Sequence, residues 1–405
     1  MKNSLSRKIV LLIVSGGALN EIGVLSIYGI YATLSSVFSI SPNDFQFQIS
    51  LFFFFAFIGS CVVVNKTSIK SLVKMASLGL MLSMIGSLVS IINYPSIILG
   101  RGLIGFGNGI IYTLSIILAK EYNPDVVLQS ESSCNAADDK TKRLLAINTI
   151  LFFSAQLLII LLSTYIERFS NWRIIFIFIA CIYGYFWMTV VRYIRLINSN
   201  PDDAEGHSKI YFKTVVTKEK IFYISSLSMI LIACVIYLVS SPVLIINIFQ
   251  KSQFLYNCFF IGTICMSILG SLLSMILFRM KQHIRVCFSI IIVLAFINFS
   301  YVVGSVIYPS FVLIMIAYGL TNFFFTSSLP LFYFIIMDNA DDSSGMFQAI
   351  SQAVSYLSCF LSSIIITLVD EKNSLLPSSL SLLFTIIGLV FFLLASKKVL
   401  RNQYD

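Results

Sequence analysis

Glu21 is the residue from which the chemistry of this sequence has to be read. It stands in the middle of Ile9–Leu34, IVLLIVSGGALNEIGVLSIYGIYATL, a run that carries no other charge. A helix rises about 1.5 Å per residue, so a run of this length crosses a bilayer and puts position 21 near the midplane. An acid at that depth is costly and persists only against a protein interior or a wet cavity. Gly17, Tyr28 and Ala32 share its face at helical spacing, and Asn20 stands beside it. In a cavity such a carboxyl can bind and release a proton as its surroundings change, and a cationic or polar compound can compete for it. The plainer alternative is a structural carboxyl hydrogen-bonded to a neighbouring helix.

The other Asp and Glu residues all fall in predicted loops or termini. Arg101 is the one base predicted inside a span, and three roles are open to it: neutralising Glu21, organising backbone carbonyls and water where helices meet, or snorkelling to the outer interface. Gly102, Gly105, Gly107 and Gly109 follow it as two overlapping ridges of small residues, a helix-packing pattern. Uncharged candidates for a cavity wall are Asn20, Tyr28, Gln156 with Asn148, Asn322 with Thr326, and Gln348 with Gln352. Each of the amides serves equally as an interhelical hydrogen bond worth about 1 kcal/mol.

These residues need elements to hold them in a membrane. The chain has 405 residues, 58% hydrophobic and 11% charged, too little polar surface for a soluble protein of this length. About twelve runs meet the ~20-residue spanning criterion: 9–34, 48–65, 72–93, 96–119, 144–166, 172–194, 221–243, 253–278, 286–307, 310–336, 345–369 and 376–396. If the N-terminus is cytoplasmic, every Lys and Arg falls in an inner break except Arg168, Arg173, Lys251 and Lys372 outside and Arg101 within a span. This asymmetry predicts both termini inside, and it accounts for the net charge of +9 without nucleic acid. The first run is too long for a cleaved signal and is expected to remain as a span.

The polar stretch after Arg192 divides six spans from six. The expected domains are an N-terminal bundle at 1–197, a cytoplasmic linker at 198–220 and a C-terminal bundle at 221–405. Within the linker, 209–220 has the pattern of a helix lying at the headgroups or of a solvated basic loop. Two similar bundles about a central cavity are the plan of many secondary transporters. Enzyme readings find no support: His207 and His283 are the only histidines, both in predicted loops, and no His-Glu-x-x-His or phosphate-loop motif occurs. The eight cysteines have no spacing that indicates a disulfide or metal framework, and neither cofactor nor metal is expected.

The run RGLIGFGNG at 101–109 resembles the fourth-span motif of the major facilitator superfamily, in which an Arg precedes a Gly-x-Gly pair. NWRIIFIF at 171–178 resembles the Trp-Arg-x-x-Phe opening of that family's sixth span. The stretch 237–273, with Ser241-Pro242, Phe249 and Phe254, is similar to the seventh and eighth spans of its bicyclomycin-resistance branch, and SSGMFQAISQAVSYL at 343–357 to the eleventh. The resemblance implies an all-α fold of two six-helix bundles, residence in a bacterial inner membrane, and proton-coupled efflux of small amphipathic compounds by a monomer. It transfers a part in proton coupling to Arg101. The loop between spans two and three departs from the family pattern: CVVVNKTSIKS at 61–71 has Asn65 where the family has Asp. The fifth span lacks the Gly-Pro pair of many exporters, and the first lacks their Asp-x-Tyr-x-Pro. Proton-coupled uptake of a nutrient on the same fold is therefore the alternative, and a transport-inactive receptor or scaffold is the alternative of another class.

Overall fold

The computed structural model describes residues 15–64, 69–121, 134–169, 171–199, 217–280, 282–308, 310–337, 344–368 and 375–401. The described residues are helices and short connections, without a strand. Eleven helices are long and apolar enough to cross a membrane. They are α3 (Pro42–Val64), α4 (Ile69–Val89), α5 (Tyr94–Glu121), α6 (Cys134–Phe169), α7 (Arg173–Ser199), α8 (Lys218–Pro242), α9 (Gln253–Leu277), α10 (His283–Ile307), α11 (Phe311–Met337), α12 (Ser344–Leu368) and α13 (Leu375–Arg401). Large apolar side chains such as Leu99, Leu158, Ile276, Phe296 and Ile307 stand on their outer faces. That distribution suits hydrocarbon as the surrounding solvent.

The first predicted span is not one continuous helix. Its described part consists of α1 at 15–25, a turn at 26–27, a tight 3-10 turn at Tyr28–Ile30, and α2 at Tyr31–Phe38. The local sequence favours the interruption. Gly23 and Gly29 are poor helix formers, and the Ser26 hydroxyl turns back to the Gly23 carbonyl at 3.2 Å. The break ends the face predicted to run from Gly17 through Glu21 to Tyr28, because Tyr28 now lies in the tight turn.

Two compact units are present. Unit 1 comprises Met1–Ile40, Leu51–Thr214 and Asn339–Tyr356; unit 2 comprises Ser41–Ser50, Val215–Asp338 and Leu357–Asp405. In unit 1, α4 packs along α5 and α7. The glycines of α5 let two neighbours come close: a Cβ at Gly107 would strike the Gly79 carbonyl of α4, and one at Gly105 or Gly109 the backbone of Phe52 or Ala56 on α3. Gly102 lies against the Phe55 ring. Thr113 donates to Ser60 at 2.9 Å, and Ser60 donates to the Gly109 carbonyl at 3.2 Å, adding polar bonds along the same seam. In unit 2, α8 packs on α13, α9 on α11, and α10 on both α11 and α13. Most of the predicted linker, and its 209–220 segment up to residue 216, lies outside the described residues, as do Asn65 to Ser68.

Candidate functional site

Breaking a transmembrane helix leaves carbonyls that no backbone N–H reaches, and in a membrane interior they need other donors. The last turn of α1 has such carbonyls at Gly23 and Val24. Arg101, on α5 and fully buried, supplies them: Nη1 donates to the Gly23 carbonyl and Nη2 to the Val24 carbonyl at 3.1 Å. Its guanidinium lies over the Phe52 ring, 4.7 Å from the centroid. A cation at the C-terminal end of a helix, over an aromatic face, is stabilised without a carboxylate partner. Of the three roles open to Arg101 in the sequence, the structure shows the second: it organises backbone carbonyls.

One turn earlier, neutral groups add side-chain bonds to carbonyls inside α1. Asn108, seven residues after Arg101 on α5, donates through Nδ2 to the Leu19 and Asn20 carbonyls, 3.3 Å away in each case. The Tyr183 hydroxyl of α7 lies 2.9 Å from both the Leu19 carbonyl and Asn108 Oδ1, between which it shares its proton. Ser83 of α4 donates to Asn108 Oδ1 at 3.2 Å. Gly23 permits this approach, since a Cβ there would run into Asn108.

Glu21 is buried at 5% exposure on this same helix and is the only acid buried among the described residues. Both of its oxygens accept from amides. Asn20 Nδ2 donates to Oε1 at 2.8 Å, and Gln156 Nε2 of α6 donates to Oε2 at 2.6 Å. No ion pair joins Glu21 to Arg101, whose donors go to Gly23 and Val24 instead. Asn20 Oδ1 accepts in turn from the Tyr356 hydroxyl of α12 at 2.7 Å. Tyr356 belongs to a row of rings: Phe152 to Tyr112 at 5.8 Å, Tyr112 to Tyr356 at 6.5 Å, and Tyr356 to Phe53 at 6.5 Å between centroids. Gly17 lets α1 close on this row, because a Cβ there would stand 2.6 Å from Asn148 Oδ1. The arrangement is a buried carboxyl held by neutral donors, with a row of aromatic rings joined to it through Asn20. Such a site can exchange a proton.

The structure thus brings Asn20, Glu21, Gln156 and, through the helix break, Arg101 into one neighbourhood of unit 1. Tyr28 is buried in the tight turn. Gln352 is buried on α12 four residues before Tyr356, while the side chain of Gln348 lies outside the described residues. Asn322, in unit 2, donates to the Tyr318 carbonyl of its own helix at 2.9 Å. Asn108, Tyr183 and Tyr356 were not singled out from the sequence. Helical spacing carried a signal for two of them: Asn108 follows Arg101 by two turns, and Tyr356 follows Gln352 by one. Nothing in the sequence pointed to Tyr183.

The sequence matches the family model described as Major Facilitator Superfamily over residues 13–363. The chain belongs to the major facilitator superfamily. It is accordingly a multi-pass membrane transporter and not an enzyme. Among solved structures the fold is similar to the proton:xylose symporter XylE bound to 6-bromo-6-deoxy-D-glucose, with a TM-score of 0.74 and 14% identity over 98% of this chain and 96% of that one. A partially occluded inward-open conformation of the xylose transporter XylE from E. coli gives 0.70 and 14%, over 97% and 98% of the two chains. A D-xylose-proton symporter gives 0.64 and 16%, over 96% of each. At these identities the likeness is one of fold. No curated protein matches this major facilitator chain by sequence.

Proposed function

We propose that this chain is a proton-coupled secondary transporter in which Glu21 carries the proton. The observation that supports the reading is the partner set of Glu21: a buried carboxyl held by two neutral amides and no cation. Gaining a proton there strands no opposite charge, whereas protonating one member of a buried ion pair would. Arg101 has a positioning part in proton coupling, keeping the break that ends α1 four residues after Glu21. Asn20, Tyr28, Gln156, Asn322, Gln348 and Gln352 are the proposed cavity residues. The halves 1–197 and 221–405, joined by 198–220, work by alternating access as a monomer in a bacterial cytoplasmic membrane, with both termini inside.

In the first reading of direction, an outward-facing Glu21 takes a proton, and a small amphipathic compound binding from the cytoplasm displaces it and leaves. The resemblance of 237–273 and 343–357 to the bicyclomycin-resistance branch supports this antiport. A second reading, uptake of a nutrient or small metabolite with the proton, is favoured by the activity of the fold neighbours, which are proton symporters of xylose. A thermal-shift screen of the purified chain at two pH values against candidate drugs, sugars and amino acids supplies the transported probe. In proteoliposomes Glu21→Gln should then abolish accumulation driven by a proton gradient while leaving gradient-free exchange of the probe. Retained gradient-driven accumulation would overturn the proposal. Energised everted vesicles accumulate the probe under export, and intact cells accumulate it under uptake.

A further inference from the structure

Glu21 accepts hydrogen bonds on both oxygens, and that pattern suits the ionised carboxylate. A proton arriving on Oε1 creates an O–H that faces an N–H of Asn20, so two donors oppose each other. Asn20 relieves the conflict by turning its amide over, which presents Oδ1 to the new O–H. Oδ1, however, is already the acceptor for the Tyr356 hydroxyl at 2.7 Å. After the turn Nδ2 points at that hydroxyl, which must accept where it had donated and send its own proton to a different acceptor. Asn20 and Tyr356 are each 3% exposed, so water does not absorb the change. Gln156 is half-buried, and its own reorientation passes nothing on.

We propose that Asn20 and Tyr356 are positioning residues that form a relay, passing the protonation state of Glu21 to α12. In the ionised state the chain runs in one direction, Tyr356 to Asn20 to Glu21, and each bond polarises the next toward the negative charge. Tyr356 is the last residue of unit 1 on α12, and from Leu357 the same helix belongs to unit 2. A hydrogen bond reversed at this point reaches a helix whose residues are divided between the units. The relay rests on the proton-carrying reading of Glu21. Of the titratable and charged groups in the elements around the carboxylate, those joined to this network are Tyr28 in the turn after α1, Arg101 and Tyr112 on α5, Tyr183 on α7 and Tyr356 on α12; from α6 it is the amides Asn148 and Gln156 that face it.

The test needs no substrate. Infrared difference spectra of the purified full chain are recorded against pH, and the protonated-carboxyl band that Glu21→Gln removes is assigned to Glu21. Tyr356→Phe should raise the midpoint of that band by about half a pH unit or more, because the ionised state loses the donor that polarises Asn20. Asn20→Leu should raise it further, and Tyr356→Phe should add nothing in the Asn20→Leu background. Tyr356→Leu, which also lacks the hydroxyl, gives the same direction if the Phe variant does not fold. An unchanged midpoint in Tyr356→Phe overturns the relay while leaving Glu21 as the proton carrier. A shift of equal size in the Asn20→Leu background overturns it as well, since Tyr356 would then act by another route. A wild-type band that does not titrate overturns the proton-carrying reading and the relay with it.

Discussion

The neighbourhoods of Asn20 in unit 1 and Asn298 in unit 2 use the same side chains to different ends. Asn298, on α10, accepts from the Tyr237 hydroxyl of α8 at 3.1 Å and from Thr321 of α11 at 3.5 Å, and donates to Thr385 of α13 at 3.0 Å. The Tyr237 ring meets those of Tyr301 and Tyr318 at 5.8 and 5.5 Å. One neutral amide thereby ties four helices together with its donor and acceptor both used. Asn20 is likewise set against a tyrosine, but its third party is a carboxylate. A neutral network has one arrangement that satisfies it and so serves packing. A network ending on an acid has two, one for each protonation state, and so can report a proton.

The comparison can be broken by mutation, and Glu21→Gln is expected to have the largest effect. Gradient-driven transport in proteoliposomes should fall to the level of empty vesicles with the melting temperature little changed, since Gln keeps the size and one acceptor of the side chain. A variant that transports normally but melts early would make Glu21 a packing residue like Asn298. Arg101→Leu comes next: it leaves the Val24 carbonyl without its side-chain donor and the Gly23 carbonyl with the Ser26 hydroxyl alone, and one unsatisfied buried group costs about 1 to 3 kcal/mol. Thermal unfolding should show the loss, and Arg101→Lys should recover part of it. Asn298→Leu should destabilise by about 1 to 2 kcal/mol, as interhelical bonds in membranes average about 0.6 kcal/mol each. Its pH profile of transport should match the wild type; a displaced profile would extend the proton-sensitive machinery into unit 2. Thr113→Val should cost least, about 0.6 kcal/mol for one bond to Ser60, again without a change in pH profile.

Much of the membrane architecture was legible in the sequence because the bilayer simplifies the signal. A span must be apolar for its whole length, so eleven of the predicted runs correspond to continuous helices. For the same reason Glu21 and Arg101 stood out as the charges inside spans, and both are buried. The family followed from the order of short motifs and holds over residues 13–363. The partners were harder to read. Hydropathy locates a residue along the membrane normal and leaves its neighbours across the bundle undetermined. Asn322 and Gln156 looked equivalent as buried amides, yet one donates to its own helix and the other to Glu21. The break in the first span leaves no mark in the hydropathy, because its residues are as apolar as those of a continuous helix; only Gly23, Ser26 and Gly29 hint at it.

By itself the sequence determined that one acid and one base stand away from the breaks, within membrane spans of a major facilitator chain, since the other charges fall in breaks or near span ends. Only the tertiary structure decided that the two do not neutralise each other. The unmet carbonyls at the end of α1 claim Arg101, and neutral amides from two helices claim Glu21. Sequence order could not weigh that competition, because it turns on which backbone groups a broken helix leaves without donors in a medium that offers no water to replace them.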